Sequence, residues 1–226
     1  TLFRSYLLRN ELGFMPPVKS EIGYGNAVHH VMRMISEHAR ATGELPKPKM
    51  INDLLNSDFF LPFANKAAHK EMREKARQLI FKYVNEHRED ITRTWATERP
   101  FELYLEGVVI SGRADVIYDE HDGVIDNLAI VDYKTATGAE IRPLQLQVYA
   151  DAGRREGLTV GAAFINDMST ATRHQVDVTD KSLKEAELQV TYAAERLKKR
   201  EFPPSPAKQK CTLCDVKTIC KAAKLK

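Results

Sequence analysis

The chain has 226 residues, 43% of them hydrophobic and 29% charged, with a net charge of +3. That suits one globular domain, or one domain with small appendages, and excludes a disordered, collagen-like or disulfide-scaffold chain. No apolar run reaches the roughly 18 residues of a membrane span, and the opening TLFRSYLLRN is too polar for a signal peptide. Without Met at its start, the sequence reads as a segment cut from a longer chain.

Hydrophobic spacing predicts a helix from about Tyr24 to Ala41, carried by Val28, Val31, Met32 and Ile35, with Gly43 and the Pro46/Pro48 pair ending it. A second, long and highly charged helix is expected from Asn65 to about Ile91, with Met72, Ala76, Leu79, Ile80 and Tyr83 as its apolar stripe. The pattern then turns to β. Glu98 to Leu105 and Val108 to Tyr118 read as strands around a Glu106-Gly107 hairpin turn, and His121-Asp122-Gly123 signals another turn. Leu128 to Lys134 is a short apolar run ending in charge. A helix is expected from Pro143 to Glu156, strands over Val160 to Ile165 and His174 to Val178, and a last helix from Lys181 to Arg200. This order specifies an α/β fold, a mixed sheet flanked by helices.

Charge is uneven along the chain. Residues 181–226 hold 12 basic and 5 acidic side chains, net +7, which leaves −4 on the rest. A basic end on an acidic body suits a polyanion partner, although a solubilising tail has the same composition. All three cysteines, Cys211, Cys214 and Cys220, fall in this end. Their tight cluster cannot tie distant parts of a secreted chain together, so a reducing compartment, the cytoplasm, with a metal or cluster site is the better reading.

The most informative segment runs from Gly112 to Lys134. Asp115 sits inside an apolar strand, and Asp132 and Lys134 close the next one. Side chains two apart share a strand face. If the two strands are hairpin neighbours, Asp115 reaches the same patch, and two carboxylates and one ammonium converge at a sheet edge. Side-by-side carboxylates repel, and a divalent cation relieves the repulsion. Such an ion polarises a phosphodiester and activates water, while a lysine orients that water and offsets developing charge. A simple Asp132–Lys134 salt bridge is the plain structural alternative. Gln145 and Tyr149 share a face of the following helix, and His29, on the first helix, is a metal-ligand type.

Taken together, Gly25 to His29, Gly112 to Asp115, Asp132-Tyr133-Lys134-Thr135 and Gln145 to Tyr149 resemble, in order, the motifs of RecB-like (AddA/AddB-type) nucleases of the PD-(D/E)XK superfamily. The resemblance implies a restriction-endonuclease-like core over residues 1–200, helical through residue 95 with a sheet core over 96–200, then a basic cysteine-containing segment over 201–226. It implies Mg²⁺ or Mn²⁺ held by His29, Asp115, Asp132 and the Tyr133 carbonyl, Lys134 as the catalytic lysine, and Gln145 and Tyr149 positioning the lysine or the DNA. Glu98 resembles an acidic residue found one strand earlier, and His30 is the neighbour with which His29 is most easily confused. Cys211, Cys214 and Cys220 match the last three ligands of the 4Fe–4S cluster carried by many members. Leu2-Phe3 stands where the first ligand would fall, and zinc or a bare thiol knuckle are the alternatives.

The function implied is metal-dependent hydrolysis of DNA, from an end and on single strands, in recombination or repair, with a UvrD-type helicase as partner domain or subunit. The segment itself has no Gly-x-x-x-x-Gly-Lys-Ser/Thr loop to power one. The rival reading is a catalytically silent DNA-binding module with a structural clasp.

Overall fold

In the computed structural model, which describes residues 2–13, 19–120, 127–135, 142–212, 214 and 216–224, the first expected helix runs over Tyr24–Thr42 (α1). Ala27, Val28, Val31, Met32, Ile35 and Ala39 line its buried stripe. Gly43 closes it in a left-handed conformation, φ 72°, with its N–H on the Ala39 carbonyl at 2.8 Å. A helix not foreseen from the sequence, Pro48–Ser57 (α2), follows at once. Its Pro48 occupies the first turn, where a missing N–H costs nothing, so the proline starts a helix as well as following one. The long charged helix is two: Lys66–Glu86 (α3), capped by the Asn65 side chain on the Ala68 N–H at 2.9 Å, and Arg88–Thr92 (α4), with His87 between them outside helical geometry.

The five strands are Thr94–Leu105 (β1), Val108–Asp119 (β2), Leu128–Lys134 (β3), Val160–Asp167 (β4) and Thr172–Val176 (β5), in sheet order β1-β2-β3-β4-β5. All neighbours are antiparallel except β3 and β4, which are parallel. The helix Pro143–Arg155 (α5) makes that crossover, and Asp180–Lys198 (α6) follows β5. This is the mixed, helix-flanked α/β sheet that the sequence specifies. The His121-Asp122-Gly123 turn lies outside the described residues.

β3 is buried from Leu128 through Tyr133, which explains its unbroken apolar run. Val131 and Tyr133 join Val116 and Tyr118 of β2 in one core with α1, α2 and α3. Alternation along the strand then sends Ile130 and Asp132 to the other face.

The chain divides into two compact units, residues 20–188 and residues 1–19 with 189–226. The first contains the whole sheet. The second contains a wide π-helix, Leu2–Glu11, and a short helix, Lys208–Thr212 (α7). Among the described residues no helix is long and apolar enough to cross a membrane.

Candidate active site

Strands β2 and β3 pair from Asp119↔Leu128 to Val116↔Val131, where the ladder stops. The next rung would join Asp115 to Asp132. Instead the Asp115 carboxylate takes the place of a backbone partner: its Oδ2 accepts the Tyr133 N–H at 2.7 Å. Its Oδ1 lies 3.2 Å from His29 Nδ1 on α1. On the far side β3 stays paired to β4 through Lys134↔Asp167. The sheet therefore opens on one side of β3 only, and the opening is lined by carboxylate.

β1 contributes to the same opening. Glu98 lies between the rungs Thr97↔Val116 and Arg99↔Ala114, at the level of Asp115, and its backbone is left-handed, φ 49°. A non-glycine residue in that region is strained, a feature concentrated at bulges and functional sites. The Glu98 carboxylate pairs with Arg113 Nε at 3.1 Å.

Lys134 Nζ lies 2.5 Å from Asp132 Oδ2. Lys134 is the cationic partner of this buried carboxylate. Burial pushes the Asp132 carboxyl above its ordinary range and the Asp115 charge pushes it further, with Lys134 and His29 opposing. For His29, burial disfavours the charged ring, but the hydrogen bond and charge of Asp115, with the charge of Asp132, outweigh it and raise the imidazole pKa. The structure also separates the two histidines. His29 meets Asp115, whereas His30 lies 3.2 Å from Arg33 Nη2 and 3.7 Å from Asp58.

Gln145 and Tyr149 come together on α5, the Gln145 Nε2 donating to the Tyr149 hydroxyl at 3.1 Å. That hydroxyl also accepts the Arg113 N–H at 3.1 Å. The pair therefore grips the backbone of β2 two residues from Asp115. The Tyr149 ring stacks on Phe101 with centroids 5.7 Å apart, and it lies where a Cβ on Gly112 would be 2.3 Å from Cε1. Gly112 is thus required by close approach: any side chain would expel Tyr149. Sequence reasoning named the glycine and the tyrosine but missed that they touch, since the contact joins a strand to a helix 37 residues on. Arg113 was missed as well, although it stands inside Gly112-Arg-Ala-Asp115.

Carboxylate oxygens are the donors a hard divalent cation takes, and a neutral imidazole nitrogen is a metal ligand of the softer, transition-metal kind. As the side chains stand, their charges are paired with one another, and among the described residues no three His, Cys, Asp or Glu groups are gathered as a metal site. Cys211, Cys214 and Cys220 form no disulfide and are not gathered as a metal site either. Three thiols also fall short of the four that an iron–sulfur cluster takes, so these residues alone do not fit one.

A family model, the PD-(D/E)XK nuclease superfamily, matches residues 3–221. The chain belongs to the PD-(D/E)XK nuclease superfamily. Among solved structures, this superfamily member is similar to a Eubacterium rectale protein provisionally named an exonuclease, at 18% identity and a TM-score of 0.53, over 95% of this chain and 79% of that one. At that identity the likeness speaks for the fold alone. The structure of SSO0001 matches at 14% identity and a TM-score of 0.42, over 92% of this chain and 98% of that one. Among curated proteins none matches.

Proposed function

We propose that this PD-(D/E)XK nuclease is a divalent-metal-dependent deoxyribonuclease that hydrolyses phosphodiester bonds from a free end, preferring single strands. The observation that carries the reading is the meeting of Asp115, Asp132 and Lys134 where β2 and β3 part, in a nuclease-superfamily chain. Asp115, Asp132, His29 and the Tyr133 carbonyl would hold Mg²⁺ or Mn²⁺. Bound there, the ion supplies a polarised phosphate oxygen and a water of lowered pKa. Lys134 Nζ orients that water and offsets charge growing on the phosphate oxygens. Gln145 and Tyr149 fix the β2 backbone at Arg113 and so fix Asp115.

The mutual pairing of the charged groups favours one rival, a silent DNA-binding module. End-labelled single- and double-stranded DNA incubated with Mn²⁺, and in parallel with EDTA, separates the two. The nuclease shortens the label in Mn²⁺ only; intact DNA in both arms refutes the assignment.

Finer parts of the reading are a cytoplasmic role in DNA end processing for recombination or repair, and a helicase partner. A 4Fe–4S cluster would need a fourth ligand from outside Cys211, Cys214 and Cys220. A visible charge-transfer band in the purified protein, with bound iron, tests for it.

A further inference from the structure

Residues 59–70, FFLPFANKAAHK, cover the link from α2 to α3 and the start of α3, and carry two lysines, one histidine and no acidic residue. Phe59 is 3% exposed; its ring packs edge-on against Tyr24 at 6.0 Å and against His69 at 5.8 Å. His69 Nε2 lies 3.1 Å from the Phe59 carbonyl oxygen, and Leu61 is buried too. Phe60 and Phe63, by contrast, are 70% and 53% exposed. One exposed phenylalanine is ordinary; two within four residues, on a loop anchored by buried Phe59 and Leu61, concentrate apolar rings held open to water.

The loop adjoins the candidate active site. Pro62, between the two exposed rings, lies 3.2 Å from the Cβ position of Gly23, and Thr135, next to Lys134, lies 3.4 Å from that of Gly25. Gly23 and Gly25 are at most about 7.6 Å apart along the chain. Loop and site therefore meet the same end of α1. Lys66 and Lys70, just beyond Phe63, are exposed and have no acidic partner among the described residues.

We propose that Phe60 and Phe63 are a stacking platform for unpaired nucleobases of the strand whose phosphodiester enters at Asp115, Asp132 and Lys134, with Lys66 and Lys70 taking the adjoining backbone phosphates. This rests on the nuclease reading of that site and names its substrate class, single-stranded nucleic acid. An aromatic plane stacks on any base, which suits an enzyme that must advance along arbitrary sequence. The two lysines, with the absence of acids from residues 59–70 and Asp58 before them lying 3.7 Å from His30, select a polyanion over an apolar protein segment as occupant.

The test is fluorescence anisotropy of a labelled single-stranded oligonucleotide in EDTA, where no cleavage intervenes. Phe60→Leu/Phe63→Leu keeps the apolar volume and removes the planes; Phe60→Tyr/Phe63→Tyr keeps the planes. The leucine variant should bind at least about tenfold more weakly, and the tyrosine variant within about twofold of the parent. An abasic strand of equal length should bind the parent and the leucine variant alike. Unchanged affinity of the leucine variant for the base-bearing strand overturns the proposal, as does an equal loss on the abasic strand. Adding Mn²⁺ to the same oligonucleotide reads the nuclease assignment separately. Cleavage by the parent with ring-independent binding removes the platform and keeps the nuclease; ring-dependent binding without cleavage does the reverse.

Discussion

Asp132 and Tyr133 are adjacent on one strand, and the sheet sends them into opposite environments. On the Tyr133 side, neutral groups answer neutral groups. The Tyr133 and Tyr118 hydroxyls are 2.7 Å apart, Tyr83 meets Tyr133 edge-on at 5.5 Å, and the Tyr83 hydroxyl accepts a hydrogen bond from Asn166. Burial pushes all three phenols above their ordinary range, so they stay protonated. On the Asp132 side, charge answers charge, Lys134 on Asp132, while His29 of α1 pairs with Asp115 at the strand edge and lies edge-on to the Tyr133 ring at 6.0 Å. Charges buried or half-buried and held this close do little for stability, because desolvation offsets much of their attraction. The first face keeps the fold; the second keeps a set of groups that a stability-optimised sheet would replace with apolar residues.

Substitutions that separate the two faces give the largest effects. Asp115→Asn, Asp132→Asn and Lys134→Ala should each lower DNA cleavage by at least about a thousandfold, with thermal melting by circular dichroism showing a folded chain. On the other face Tyr118→Ala should cost about 3–5 kcal/mol in urea unfolding, as large deletions from a packed core do. Tyr118→Phe should cost about 0.5–1.5 kcal/mol, because it removes one buried hydroxyl–hydroxyl hydrogen bond of Tyr133.

Gly112→Ala tests the link between β2 and α5. It should destabilise by about 1–3 kcal/mol through overpacking against Tyr149. Combined with Tyr149→Ala, its cost should fall well below the sum of the two single changes, which a double-mutant cycle reads directly.

The smallest effect lies at the margin of the tyrosine face, where His87 stacks on Tyr83 with centroids 4.4 Å apart. Asp90 of α4 is held below the ordinary carboxylate range by its hydrogen bond to His87, against the opposing effect of burial and with help from Arg173 and Arg93. A lowered folded-state pKa stabilises the fold above the ordinary aspartate value of about 4, and that contribution fades as pH falls through the lowered value. Asp90→Asn should therefore lower the melting temperature at neutral pH and narrow the gap to the parent as the buffer is made more acidic.

What the sequence revealed follows the same division. The run Leu128 to Lys134 matches β3 residue for residue, because a doubly buried strand needs an unbroken apolar stretch. α1 and α5 were legible from helical spacing within a residue or so. α2 was hidden because Pro48 carries one signal for stopping a helix and for starting one. The break at His87 was hidden because the apolar stripe of α3 runs on toward Ile91, which is itself buried. In the site, residue types and strand ends placed Asp115, Asp132 and Lys134 together. They did not disclose that Asp115 replaces a rung of the ladder, nor that Glu98 opposite it adopts a left-handed backbone. Those features belong to strand register and to long-range contacts, which no local pattern encodes.

The most direct measurement compares Asp132→Asn with Tyr118→Phe on end-labelled single-stranded DNA in Mn²⁺, at a temperature where melting curves show both variants folded. The account predicts no shortening of the label by the asparagine variant and cleavage per folded molecule by the phenylalanine variant close to that of the parent. An asparagine variant that cuts at the parental rate would contradict it.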